Sequence, residues 1–281
     1  MPVRITKLQE MKQAGELIPC MTAYDYPSAR VIDAAGIPVI LVGDSLGNVV
    51  LGYDSTVPVT LDDMVRHTQA VVRGASNALI VVDMPFMTYS VSAEEALRNA
   101  GRLLQEGGAH AVKLEGGVPV AGTVARIIEA GIPVMGHLGL TPQSVNQLGG
   151  YRVQGRTLSQ AQELMEGAEA LERAGAFAVV LETVPGPLAA AVTKRLRIPT
   201  IGIGAGADCD GQIQVLHDVL GFSERTPKHA KLYANLNEVI GTAMSSYAED
   251  VRAGRFPTDE HTVPIDDAVL RELMGEVELD R

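Results

Sequence analysis

Cysteine is scarce in this chain. Cys20 and Cys209 are the only two among 281 residues, and neither lies in a CxxC. No His or Cys cluster has zinc-ligand spacing. The expectation is two reduced thiols in a cytoplasmic protein, not a disulfide. Long apolar runs are missing too, and no stretch reaches the ~18 residues of a membrane span. The opening "MPVRITKLQEMKQ" lacks the apolar core of a signal peptide, and Glu10 argues against a transit peptide. Basic residues are outnumbered: Lys plus Arg total 23 against 34 Asp plus Glu, a formal charge of −11. Such a surface suits neither nucleic acid nor anionic lipid as a partner, though a local basic site for an anionic substrate stays open. No linker, low-complexity tract or composition break divides the chain.

What the chain does have is alternation. Short apolar runs rich in Val and Ile recur: "IPCMTAYD", "PVILVGDS", "LIVVDMP", "AVKLEGG", "PVMGHLGL", "AVVLETVP", "PTIGIGAG" and, less clearly, "IQVLHDVLG". Most lack polar alternation, as strands of a parallel sheet buried on both faces do. Amphipathic segments separate them. "SAEEALRNAGRLLQEGG" opens with Ser92 and Glu95 at capping-box spacing and stops at Gly107 and Gly108. "TLSQAQELMEGAEALERAG" repeats the design with Thr157, Gln160 and Gly175, and "TLDDMVRHTQAVVRGA" starts likewise at Thr60. A β-α unit repeated about eight times in this length predicts a single α/β domain, a (β/α)8 TIM barrel over residues 1–281. A terminal helix and an irregular acidic tail are expected from about residue 225. A doubly wound open sheet is the structural alternative.

Four of the predicted strands end on an acid: Asp44 in "LVGDS", Asp83 in "IVVDMP", Glu115 in "VKLEGG" and Glu182 in "VVLETVP". A single such acid caps a following helix about as often as it does anything else. Four are harder to explain that way. In a parallel barrel all strand C-termini meet at one rim, and grouped carboxylates repel unless a cation or proton lies among them. All candidate ligands are oxygens, so Mg²⁺ fits first and Mn²⁺ next. Lys113 lies two residues before Glu115 and so shares its strand face, in the barrel interior. A buried lysine needs a partner, here a substrate or catalytic carboxylate. His137 ends a strand as well and reads equally as a hydrogen-bonded structural residue or as a participant at the rim. The glycines of "TIGIGAG" suit either a phosphate cradle or a tight loop.

The stretches "TAYDYPSARVIDAAGI", "LVGDSLG", "DMPFMTYS", "AVKLEGG", "GHLGLTPQSVNQLGGYRVQGR", "LETVP" and "TIGIGAGADCDGQ" run in order from about Thr6 to "FPTDEH". Together they closely resemble ketopantoate hydroxymethyltransferase. The resemblance implies a TIM barrel that moves a hydroxymethyl group from 5,10-methylenetetrahydrofolate to 3-methyl-2-oxobutanoate. The product would be 2-dehydropantoate, on the way to pantothenate. It implies Mg²⁺ on Asp44 and Asp83 with Glu115 in the metal shell, keto-acid contacts from Ser45 and Lys113, and Glu182 as the base. It also implies a large homo-oligomer, typically a decamer. His229 in "PKHAKLY" and the text of "GQIQVLHD" depart from the usual family pattern, both outside the acid cluster. Two rivals bear on the same residues. A Mg²⁺-dependent lyase or mutase of the phosphoenolpyruvate mutase and isocitrate lyase kind would share the acids but carry a mobile catalytic cysteine loop. A barrel retained for binding or assembly would have lost part of the acid cluster.

Overall fold

Eight parallel strands pair in chain order and close on themselves: β1 (Ile18–Thr22), β2 (Val39–Val42), β3 (Leu79–Asp83), β4 (Ala111–Glu115), β5 (Val134–Gly139), β6 (Ala178–Glu182), β7 (Thr200–Ile203) and β8 (Gly211–Gln214). The computed structural model describes residues 2–223 and 226–274. These fall into two compact units, Met1–Ala234 and Asn235–Arg281, and the first holds the barrel. The chain thus has the (β/α)8 TIM-barrel fold that its alternation predicts.

The period of two along each strand sorts the core into layers. Val39 and Leu41, Leu79 and Val81, Ala178 and Val180, and Ile201 and Ile203 fill the barrel interior. Their alternates Ile40, Val42, Ile80, Val82, Val179 and Leu181 pack against the surrounding helices. The helix Ile5–Ala14 contributes Leu8 and Met11 to the interior cluster, so it packs with the barrel's inner layer. Burying an apolar side chain of this size contributes roughly 1.5–3 kcal/mol. The wall is set by these side chains, and the rim is where the inward rows run out of apolar residues.

The helix starts follow their caps. Thr60 with Asp63, and Thr157 with Gln160, form reciprocal capping boxes before helices Leu61–Gly74 and Leu158–Arg173. Ser92 accepts from Glu95 N at 3.1 Å before helix Ala93–Gln105. Asp25, which closes the first apolar run, caps helix Tyr26–Ala34 by accepting from Ser28 N at 2.8 Å.

The last β-α units depart from the expected repeat. No helix lies between β7 and β8; the connection is the short loop between Ile203 and Gly211. Asp210 in that loop accepts from Thr200 N at 2.8 Å and pairs with Lys12 at 2.7 Å, which ties the turn down. Gly206 adopts φ +82°, and a Cβ there would meet Gly186 Cα at 2.9 Å, so "TIGIGAG" serves close backbone packing. The run "IQVLHDVLG" is a correction. Its strand ends at Gln214, and Leu216–Val219 is one helical turn whose Leu216 N donates to Thr22 Oγ1 at 3.0 Å.

In the second unit, helix Leu236–Arg252 is followed by a 3-10 turn at Asp259–His261. The Phe256 ring stacks edge-on against Tyr247 and His261, at centroid distances of 5.7 and 4.9 Å. The stretch expected to be irregular carries a further helix, Asp267–Met274. Among the described residues no helix is long and apolar enough to cross a membrane.

Candidate active site

The inward rows decide what meets at the rim. Asp83 continues the row Leu79, Val81; Glu115 and Lys113 continue from Ala111; His137 follows Met135; Glu182 follows Ala178 and Val180. Asp44 sits two residues beyond the end of β2. Strand register places Lys113 beside Asp83, His137 beside Glu115 and Glu182 beside Gly139. None of the four acids is the cap residue of a described helix. They line one cavity of about 570 Å³ together with Ser45, Lys113 and His137. All of the sequence-selected site residues are therefore brought together.

The contacts form a chain. Asp83 Oδ2 accepts from Asp44 N at 3.0 Å. Gly43 permits this approach: a Cβ there would lie 2.8 Å from Ser45 Oγ and 3.5 Å from the Asp83 carboxylate. Lys113 Nζ lies 2.8 Å from Asp83 Oδ1 and 3.2 Å from His137 Nδ1. The ammonium can only donate, so Nδ1 of a neutral imidazole accepts and Nε2 carries the proton. That Nε2 lies 3.2 Å from Glu182 Oε2. Two of these close pairs are ion-pair contacts and not aligned hydrogen bonds. Asp83 Oδ1 and His137 Nε2 are both buried and have no properly directed partner.

Electrostatics favour an added positive charge. Asp44 is buried, and burial first and the neighbouring Asp83 second push its carboxyl up to about 7. Burial and Asp44 likewise raise Glu115 well above the usual range. Burial opposes the Lys113 charge, but Asp83, Glu115 and Asp44 outweigh it and hold the ammonium protonated. Burial and Lys113 lower His137, consistent with the neutral ring.

Sequence reading missed three residues. Gln143 is buried and fastens the cluster: its Nε2 donates to Asp44 Oδ2 at 2.7 Å and Met84 O at 2.9 Å, and its backbone N donates to Glu115 Oε2 at 3.1 Å. Tyr89 OH donates to Gln143 Oε1 at 2.7 Å. Tyr24 OH and Ser45 Oγ share a hydrogen bond of 2.8 Å. The only signal for Gln143 was its place just after β5, within a motif already singled out.

The rim also holds a strained turn. Thr183 follows Glu182 with φ +51°, unusual for a β-branched residue. Its N donates to Ile203 O at 2.8 Å, and its carbonyl accepts from Gln154 N at 3.0 Å. That second bond ties down a segment carrying Tyr151, which lines the cavity and is 58% exposed. The two cysteines stand apart from this chemistry. Both are buried, Cys20 in β1 and Cys209 in the β7–β8 loop, and burial raises both thiols.

Comparison with known proteins agrees with the geometry. The chain is 62% identical over 274 residues to a 3-methyl-2-oxobutanoate hydroxymethyltransferase of Dehalococcoides mccartyi, covering 97% of this chain and 98% of that one. It is 60% identical to the enzyme of that name from Chloroflexus aurantiacus, covering 98% of each. Among solved structures it resembles a phosphonopyruvate hydrolase bound to oxalate and Mg²⁺, with TM-score 0.60, 14% identity and coverage of 98% and 95%. It also resembles 2,3-dimethylmalate lyase, of the PEP mutase/isocitrate lyase superfamily, with TM-score 0.59, 18% identity and the same coverage. These distant matches show the shared barrel. Residues 2–259 match the family model, and the chain belongs to the ketopantoate hydroxymethyltransferase family.

Proposed function

We propose that the rim cavity binds 3-methyl-2-oxobutanoate and adds to its C3 a hydroxymethyl group derived from 5,10-methylenetetrahydrofolate, giving 2-dehydropantoate. The observation that carries this reading is the cluster of four carboxylates, three of them buried and Glu182 half-buried, against one lysine, in a chain of this family. The excess of acid calls for a cation. Asp83 Oδ1 lacks a directed donor, and Asp44 is held up by burial beside Asp83. Among the described residues no three acidic, His or Cys side chains form a ready-made cage. Two carboxylates, substrate oxygens and water suit Mg²⁺, which keeps several waters. Asp44 and Asp83 would hold it, with Glu115 in its shell. When bound, the ion would supply Lewis-acid polarisation of the keto group, making C3–H more acidic.

The remaining work falls to the side chains. Lys113 balances the carboxylates, and its charge attracts the substrate carboxylate. Ser45, steadied by Tyr24, offers a hydroxyl to the same group. Glu182 removes the C3 proton, its carboxylate lying 3.2 Å from His137 Nε2. Water adds to the carrier's methylene carbon, both C–N bonds to the carrier break, its two nitrogens take the protons of that water, and formaldehyde is released in the cavity. The C3 carbanion then forms the new carbon–carbon bond to this carbon, and the resulting alkoxide takes back the proton held by Glu182. A lyase with a catalytic cysteine loop is disfavoured, because both thiols are buried, burial raises them, and neither lines the cavity. We further infer a cytoplasmic location and self-association into a large homo-oligomer of decamer size. Exposed apolar side chains on the barrel unit such as Val31, Phe86 and Val91 support association, and light scattering after gel filtration would size it. The test of function is one assay: keto acid, methylenetetrahydrofolate and Mg²⁺, with 2-dehydropantoate followed by mass spectrometry. No product above the enzyme-free control would refute it.

A further inference from the structure

The five-carbon keto acid fills only part of a cavity of about 570 Å³. The rest must receive the one-carbon carrier if the reading above holds, and the inference that follows rests on that reading. The carrier's reacting end is a flat, neutral, nitrogen-rich double ring. Such a ring is recognised by an aromatic or apolar plane laid against its face. Among the described residues lining this cavity the one Lys or Arg is Lys113, and it lies beside Asp83 and His137, deep in the acid cluster. The described mouth of the cavity offers a ring face in place of a fixed charge.

The chain has no tryptophan and only 4% aromatics, yet one tyrosine, Tyr151, stands at the mouth with 58% of its surface exposed. Among the described residues no other Phe or Tyr lines the cavity. A tyrosine this exposed gains less from folding than a core ring does. Its segment is built to place it. Gly149, Gly150 and Gly155 bracket it with φ of +67°, +111° and +79°, turning the backbone where other residues resist. Gln154 N then fastens the segment to Thr183 O at 3.0 Å. Thr183 adjoins Glu182 in sequence and is itself held in a left-handed conformation. The segment that carries the ring is therefore anchored one residue from the proposed base. The methylene carbon has to arrive beside C3, close to Glu182.

We propose that Tyr151 is the stacking platform for the pteridine ring of the one-carbon carrier, held beside the base by the Gln154–Thr183 hydrogen bond. The ring face binds, and the phenol oxygen is incidental. The experiment compares Tyr151→Leu and Tyr151→Phe with wild type, in the presence of Mg²⁺. It measures KM for each co-substrate, Kd for tetrahydrofolate by calorimetry, and carrier-free exchange of the keto acid C3 proton in D₂O. For Tyr151→Leu the ratio of KM for the carrier to KM for the keto acid should rise about tenfold, as should Kd for tetrahydrofolate. Tyr151→Phe should restore most of that loss. The inference is overturned if the Leu variant leaves both the ratio and Kd where wild type has them. It is also overturned if Phe loses as much as Leu, or if proton exchange falls by the same factor as transfer. Failure of the functional reading looks different: wild type itself would show neither exchange nor turnover. Tyr151 is largely exposed, so the variants should fold, and their melting curves check that.

Discussion

Glu182→Gln is the sharpest test of the proposed chemistry. The amide has nearly the shape of the carboxylate, and its oxygen can still face the His137 Nε2–H, which lies 3.2 Å from Glu182 Oε2. Substrate and Mg²⁺ binding should therefore persist while basicity is lost. Loss of a general base costs ~10²–10⁴-fold, or about 3–5 kcal/mol in the barrier. Glu182→Asp separates reach from basicity. It keeps the carboxylate but withdraws it by one methylene, and a displacement on the order of 1 Å costs ~10²-fold. The assay needs no folate. Enzyme, Mg²⁺ and 3-methyl-2-oxobutanoate in D₂O are followed by NMR as the C3–H signal disappears. Wild type should exchange readily, Asp slowly and Gln slowest. If Glu182→Gln exchanges within about threefold of wild type, Glu182 is not the base and another group at the rim is.

Asp44→Asn and Asp83→Asn should each weaken Mg²⁺ binding at least tenfold by calorimetric titration, and wild-type affinity in either would refute the metal assignment. Asp83→Asn also removes the acid nearest the Lys113 ammonium, at 2.8 Å, while Glu115 and Asp44 remain, so it should lower stability by roughly 1–3 kcal/mol in urea unfolding. Both cysteines are buried with raised thiols, so native protein should resist a thiol reagent that titrates two thiols after unfolding; Cys20→Ser with Cys209→Ser should keep turnover within a few-fold. Asp33 accepts from Ser76 N, Asn77 N, Asn77 Nδ2 and Ala78 N, and these donors outweigh burial to hold its carboxyl below the usual value. A depressed acid stabilises the fold above its unfolded pKa of about 3.9, and that stability is lost as pH falls through the folded value. Asp33→Ala should thus cost roughly 2–4 kcal/mol at pH 7 by denaturant titration, and the gap to wild type should narrow toward pH 2.

How much of this was legible in the sequence depends on the range of the interaction that fixes each feature. The capping boxes at Thr60 and Thr157 are local, and both form as their spacing predicts. The apolar runs of β2, β3 and β4 are fully buried because one period-two row faces the interior and the other faces helices. The end of the barrel was harder. β8 has two partly exposed glutamines in four residues, Gln212 and Gln214, so its signal is weak, and the more apolar text after it turned out to begin a helical turn. The missing β7–β8 helix had no local signal either. That loop is stabilised by Asp210 reaching Thr200 and Lys12, two contacts far apart in sequence. Gln143 had only its place in a singled-out motif to mark it, for the same reason: it joins Asp44, Met84 and Tyr89 from the 3-10 turn Pro142–Ser144 after β5.

Register explains why the acids can coexist at all. Sequence alone puts Asp83, Lys113, Glu115, His137 and Glu182 on inward rows, but it does not say which stands beside which. The barrel aligns Asp83 with Lys113 and Glu115 with His137, so each acid on β3 and β4 has a basic or neutral ring neighbour on the next strand. Opposite charges side by side across strands are stabilising, and like charges are not. A slip of β4 by one residue would turn Lys113 and Glu115 outward against the helices and leave Asp83 beside an apolar side chain. The buried ammonium and its acids would then lose their partners together, at a cost of several kcal/mol per stranded charge. The same pairing that makes the site chemically competent therefore also pins the register of the strands that carry it.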